Sequence, residues 1–148
     1  MSARLLARRQ RLVRVREAQH AMAVAETVRA RDEADTIANN ARRVSRVRAE
    51  LFEAERTQMG GTFASYRELA ERLERAGKQL EGALYDANRV IGQKQVRQVE
   101  ASREEEIARR LKERIHARIE DEREARIAAI PRQRLPRQGQ PGQSEDKT

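Results

Sequence analysis

The sequence predicts an all-α protein: a long antiparallel two-helix coiled-coil hairpin followed by a disordered C-terminal tail. The chain of 148 residues is 38% charged and 38% hydrophobic with only 3% aromatic residues, which is too little apolar content for a thick globular core. No proline, the residue that most strongly interrupts a helix, occurs before Pro131. The charged residues are mixed with Ala, Leu and Gln, which favour helix over disorder.

A pair of glycines divides the proline-free segment. Gly60 and Gly61 are adjacent, whereas glycine is otherwise sparse before Pro131, so we expect the chain to reverse direction at this pair. Ser65 and Glu68 then have the capping-box spacing that starts a helix. The predicted hairpin occupies residues 1–130, with a first helix at about 3–58, a turn at about 59–64 and a second helix at about 65–130.

The residues after Pro131 have no apolar period and are rich in Pro, Gly and Gln. Such a composition cannot bury a hydrophobic face. Residues 131–148 are therefore predicted to be a disordered basic tail.

Apolar residues on both sides of the turn recur at alternating steps of three and four, which predicts the interface between the helices. The series before the turn is Ala34, Ile37, Ala41, Val44, Arg48 and Leu51. The series after the turn is Leu69, Leu73, Ala76, Leu80, Ala83 and Ala87. In an antiparallel hairpin opposed residues have numbers that sum to a nearly constant value, here about 120. Most large side chains then face a small one, which lets the helices approach closely.

Farther from the turn the same pairing is less regular. The predicted pairs there are Ala30 with Ile91, Ala25 with Val96, Met22 with Val99, Val15 with Ile107, and Leu12 with Leu111. Thr27 and Lys94 interrupt this series, which suggests a local stutter in the heptad repeat. Because the second helix is longer, residues beyond about 119 should project as a single helix carrying Ile119, Ile127 and Ile130.

The residue content argues against catalysis and against bound cofactors or metals. The chain has no cysteine, and its two histidines, His20 and His116, are out of register in the hairpin. Gly60-Gly61 is not followed by the Lys-Ser or Lys-Thr of a phosphate-binding loop. The arginines among the first apolar residues leave no signal-peptide core, and no segment is apolar enough to span a membrane. We therefore predict a cytoplasmic, non-enzymatic binding protein.

Two other functions are compatible with the sequence. A net charge of +8 and a pI of about 10.8 suggest nucleic-acid binding, although acids are interleaved with the bases and aromatic residues for stacking are few. A general scaffold coiled coil would instead self-associate through its apolar face. Aromatic residues near the turn, Phe52, Phe63 and Tyr66, either close the hairpin or form a docking tip with Leu69.

The segment Tyr66-Arg67-Glu68-Leu69, with Leu73 and Ala76 after it, resembles the aromatic, apolar, apolar, alanine series that opens the second helix of the flagellar FliJ family. The total length, the two unequal helices and the basic first helix are similar to those of that family and its YscO-like relatives in type III secretion. Leu80 departs from the pattern, since the family often has a polar or aromatic residue there.

The resemblance implies a monomeric, cytoplasmic stalk that reaches the membrane only through its partners. Members of the family insert their helix termini into a hexameric export ATPase, and the rod reaches toward the export gate; chaperones are further partners. The gate-binding residues implied at the tip are Leu69, Leu73 and Ala76, to which we add the aromatic residues Phe52, Phe63 and Tyr66. The ATPase-binding residues implied at the terminal end are Leu5, Arg8, Arg9, Leu12, Ile115, Ile119 and Ile127.

Overall fold

The computed structural model describes residues 2–57 and 63–132, and these form an all-α hairpin of two helices. Helix α1 spans Ser2–Thr57 and has 56 residues, and helix α2 spans Phe63–Ala129 and has 67 residues. Ion pairs fix the antiparallel direction, because Arg48 near the end of α1 lies 3.9 Å from Glu74 while Arg16 lies 2.7 Å from Glu104. The predicted fold class is confirmed for these residues. The predicted turn at Gly60-Gly61 and residues 133–148 of the predicted tail lie outside them.

Buried and half-buried residues recur at alternating steps of three and four along both helices, so that the pattern repeats every seven residues. This is the period of a two-stranded coiled coil. We call these positions the seam between the helices. In α1 the seam consists of Leu6, Arg9, Val13, Arg16, His20, Ala23, Thr27, Ala30, Ala34, Ile37, Ala41, Val44, Arg48, Leu51 and Glu55. In α2 it consists of Tyr66, Ala70, Leu73, Gly77, Leu80, Leu84, Ala87, Ile91, Lys94, Gln98, Ala101, Glu105, Ala108, Lys112, Ile115 and Ile119.

One register of pairing accounts for the whole hairpin. Val44 packs on Gly77, since a Cβ built on that glycine would stand 3.8 Å from the Val44 Cγ1. The numbers of these two residues sum to about 120, as predicted. The seam residues of both helices keep this sum from the turn to the terminal end, so the described residues contain none of the predicted stutter.

Near the turn the predicted interface is correct for α1 and half correct for α2. The α1 series from Ala34 to Leu51 lies in the seam throughout. In α2, Leu69 is 45% exposed, and Ala70 takes the seam position opposite Leu51 instead. Likewise Gly77 and Leu84 lie in the seam, and the predicted seam residues Ala76 and Ala83 are half-buried beside it. The sequence pattern is ambiguous here because the apolar residues of α2 fit two phases one position apart.

In the middle of the rod, three predicted pairs are wrong. Val15, Met22, Val96, Val99 and Ile107 are exposed large hydrophobic residues, and Ala25 is exposed as well. The residues that the prediction treated as interruptions, Thr27 and Lys94, lie in the seam. The reason is geometric: seven-residue spacing carried from the turn places these polar positions between the helices whatever their side chains. Of the other two pairs, Ala30 and Ile91 both lie in the seam, as predicted, whereas Leu12 and Leu111 are half-buried beside it.

The start of α2 also differs from the prediction. The helix includes Phe63 and Ala64, so Ser65 lies in its first turn and is not the capping residue. Nothing in these two residues breaks a helix, and the Ser-x-x-Glu spacing is a local signal that helical sequence can also contain.

Two glycines within α2 lower the stability of the hairpin without serving its packing. A Cβ built on Gly82 or Gly92 would meet nothing within 4 Å. We therefore expect Gly82→Ala and Gly92→Ala each to raise the free energy of unfolding by about 1 kcal/mol, because alanine restricts the unfolded chain and favours helix. Urea denaturation followed by circular dichroism measures this change. A loss of stability in either variant would show that the glycine is packed against something.

Candidate binding surfaces

The tip surface consists of the residues near the turn that were predicted to bind a partner. Phe52 is 43% exposed and Leu69 is 45% exposed, whereas Tyr66 and Leu73 are half-buried in the seam and Ala76 is half-buried beside it. The Phe63 side chain lies outside the described residues. Exposed apolar groups therefore remain at this end.

These tip residues do not form one continuous patch. Phe52 follows the seam residue Leu51, and Leu69 precedes the seam residue Ala70. In an antiparallel pair, a residue that follows the seam in one helix and a residue that precedes it in the other lie on opposite sides of the seam. A partner that contacts both residues must therefore enclose the tip.

Arg48 contacts the exposed ring of Phe52. Arg48 occupies a seam position, and its guanidinium carbon lies 5.5 Å from the centre of the Phe52 ring. The guanidinium also approaches Glu74 at 3.9 Å. The cation and the ring stabilise each other, so the residue that misfits the apolar series is accommodated by a neighbour outside the seam.

The terminal end surface consists of the residues around the first turns of α1 and the last turns of α2. Leu6 and Ile115 lie in the seam, and Ser2 is level with Ile119. Residues 121–132 are all exposed, so the prediction that α2 projects past the start of α1 is confirmed.

Of the apolar residues predicted to bind a partner at this end, some are exposed and others are half-buried in the seam or beside it. Leu5 is 39% exposed and Ile127 is 59% exposed, and Ile130 beyond them is also exposed. The half-buried residues are Leu12, Ile115 and Ile119. Arg8 is exposed, whereas Arg9 lies half-buried in the seam. The exposed group, Leu5, Arg8 and Ile127, is therefore what a partner could reach directly.

The middle of the seam is held by charged and polar side chains. Arg16 donates to Glu104 at 2.7 Å, and His20 Nδ1 lies 2.9 Å from a carboxylate oxygen of Glu105. Arg109 joins two of the carboxylates, at 2.7 Å from Glu105 and 3.2 Å from Glu17. Arg16 and Glu104 join the arginine-rich part of α1 to the acidic run of α2. These mostly exposed pairs specify alignment more than stability.

A second polar contact lies nearer the turn. Lys94 Nζ donates to Glu26 at 3.1 Å, and this hydrogen bond, together with the charge of Lys94, lowers the pKa of the Glu26 carboxyl. Thr27 is buried, and its hydroxyl donates to the Ala23 carbonyl at 3.0 Å. Lys94 and Thr27 therefore each have a hydrogen-bond partner, which explains why the seam tolerates these two residues.

Among residues 2–57 and 63–132, no group of three or more His, Asp or Glu side chains could hold a metal ion. None of the helices in this part of the chain is long and apolar enough to cross a membrane.

Comparison of the chain with protein-family models, with curated proteins and with solved structures finds no match. The resemblance to the FliJ family therefore depends on the sequence pattern alone.

Proposed function

We propose that this chain is a non-enzymatic cytoplasmic stalk of a flagellar or type III protein export apparatus. In this proposal it links the hexameric export ATPase to the cytoplasmic domain of the export gate, and export chaperones are further partners. The observation that supports it best is that a narrow two-helix rod exposes apolar side chains at both of its ends, Leu69 at one and Leu5 and Ile127 at the other.

The dimensions of the rod suit a connecting element. The 67 residues of α2 extend on the order of 100 Å at the helical rise per residue. The seam consists mainly of alanine and polar residues, with isolated Leu, Ile and Val side chains between them. It therefore buries little apolar surface on its own. Enclosure of an end by a partner would remove further apolar surface from water and stabilise the complex.

The terminal end is the one we assign to the ATPase. Leu5, Ile127 and Ile130 present apolar groups there, and Arg4 and Arg8 are exposed beside Leu5. A ring that encloses this end would need an apolar lining with acidic groups around it. The tip, with Leu69 and Phe52, is then the end that contacts the gate.

Binding measurements with the purified export ATPase and gate domain from the same organism test the proposal. We expect the full chain to bind each of them, and to bind the two together because they occupy opposite ends. Absence of association with both would refute it. Retention of tight binding to duplex or single-stranded nucleic acid near physiological salt would favour the rival nucleic-acid function, since nonspecific charge attraction is lost under those conditions.

A further inference from the structure

The middle of α1 carries an exposed apolar surface that neither end of the rod includes. This outer patch consists of Val15, Ala18, Ala21, Met22, Ala25 and Val28, all of which are exposed. Met22 is 65% exposed and Val15 is 51% exposed. The seam at the same level holds Arg16, His20, Ala23 and Thr27, so none of the bulky apolar side chains of this segment lies in it.

The patch has the spacing of a second coiled-coil interface. Val15, Ala18, Met22 and Ala25 follow one another at steps of three, four and three along the outside of α1. Bulky and small residues alternate along this line, which is the surface into which the side chains of another helix can fit. The patch also lacks the Trp, Phe and Leu residues with which helices insert into a membrane interface.

Basic residues flank the outer patch at both ends, and they determine the charge that a helix bound there must carry. Continued in the same steps of three and four, the line passes through Arg8 and Arg11 before Val15 and reaches Arg29 after Ala25. All three arginines are exposed, and none of them makes an ion pair within 4 Å in the described ranges 2–57 and 63–132. An occupant with acidic groups beyond both ends of its apolar stripe would pair with them.

The α1 helix of a second copy does not meet this requirement. If two α1 helices met in parallel across the patch, each arginine would face its own counterpart. If they met antiparallel about the centre of the patch, Arg11 of one copy would lie against Arg29 of the other. Like charges opposed across an interface are unfavourable, so both arrangements are disfavoured.

We propose that the outer patch is a docking site for an acidic amphipathic helix of another protein, which lies along α1 to form a three-helix segment with the hairpin. Apolar residues of that helix at coiled-coil spacing contact Val15 and Met22, and its flanking carboxylates pair with Arg11 and Arg29. This proposal goes beyond the stalk function and does not depend on it, because the patch lies between the two ends of the rod.

The test uses the full chain and two synthetic helical peptides of about four heptads with Leu at the core positions. One peptide has Glu at the flanking positions, and the other has Lys at the same positions. Fluorescence anisotropy should show binding of the acidic peptide, with affinity that falls as salt is added. Val15→Gln with Met22→Gln should weaken that binding by about tenfold or more, and Arg11→Glu with Arg29→Glu should do the same while permitting binding of the lysine peptide.

Matched controls lie on the same rod. Val96→Gln with Val99→Gln changes two exposed valines of α2 at the same level and should leave binding unchanged. Arg46→Glu changes an exposed arginine of α1 beyond the patch and should also have little effect. Glutamine keeps helix propensity, and circular dichroism at 222 nm verifies that each variant is folded.

Four results would overturn the proposal. These are equal binding of both peptides, no binding of either, binding that the patch variants leave unchanged, and sedimentation of the free chain as a dimer that Val15→Gln with Met22→Gln dissociates. Adsorption of the chain to anionic phosphatidylserine vesicles that depends on the patch, without preference for the acidic peptide, would show instead that the patch is a membrane surface.

Discussion

Replacing Ala34 by aspartate should destabilise the hairpin more than any other single change we consider. Ala34 is 5% exposed and lies in the seam opposite Ala87. A carboxylate there would lose its water without gaining a cationic partner, and its neighbours in the sequence, Glu33 and Asp35, are also acidic. We expect the free energy of unfolding to fall by on the order of 3 kcal/mol or more.

Urea denaturation followed by circular dichroism at 222 nm measures this effect, and Ala49→Asp is the matched control. Ala49 is exposed on the outside of the same helix, so aspartate there should cost only the difference in helix propensity, below about 1 kcal/mol. If the two variants were equally stable, Ala34 would not be enclosed between the helices, and the seam as described would be wrong.

The second large effect should be a separation of the two binding activities between the two ends. Leu5→Asp with Ile127→Asp introduces charge at exposed apolar positions of the terminal end. We expect this double variant to bind the export ATPase more than about tenfold more weakly and to bind the gate domain as before. Leu69→Asp at the tip should have the reverse pattern.

Because Leu5, Ile127 and Leu69 are exposed, these changes should leave the hairpin folded. Val96→Asp is the control, since Val96 is an exposed valine in the middle of α2, away from both ends, and it should affect neither interaction. Isothermal titration calorimetry measures all four proteins against both partners. Weakening of the same interaction by the tip and terminal variants would contradict the proposed arrangement, even if the unaltered chain bound both partners.

Much of the fold could be predicted from the sequence because its main signals are local. The proline-free run and the helix-forming composition predict two long helices, and the α1 series from Ala34 to Leu51 has one clear phase. In any antiparallel pairing the numbers of opposed residues have a constant sum. The sum of about 120 near the turn could therefore be predicted from the sequence as well. The projection of α2 beyond the start of α1 required only the unequal lengths of the two predicted helices.

The middle of the rod was mispredicted because apolar character does not mark its seam. Val15, Met22 and Val96 are the larger apolar residues of this region, so the pattern favours them as interface residues, although they are exposed. Polar seam residues such as His20 and Lys94 are accommodated by pairing with Glu105 and Glu26, which a hydrophobic pattern cannot indicate. Strict continuation of the seven-residue phase from Leu51 toward the N-terminus would have identified them.

For the same reason the outer patch cannot be recognised from the apolar pattern. When Val15 and Met22 are assigned to the seam, the other exposed apolar residues of this part of α1 are alanines and valines without evident order. Once the phase is fixed by the contacts of Val44 with Gly77 and of Arg16 with Glu104, the same residues form a line with basic groups beyond its two ends.

The most direct test of the account is the distance between spin labels at positions 17 and 109, measured by double electron–electron resonance. Glu17 and Arg109 are 92 positions apart in the sequence and form an ion pair at 3.2 Å, and the chain has no cysteine of its own, so Glu17→Cys and Arg109→Cys introduce the sole attachment sites. Since packed helices lie about 8–10 Å apart, we predict a narrow distribution on the order of 20 Å that dilution with unlabelled chain leaves unchanged. One continuous helix would place the 92-residue separation about 140 Å apart, so the predicted short distance would be absent. That absence, or a short distance that disappears on dilution, would contradict the hairpin and the surfaces described on it.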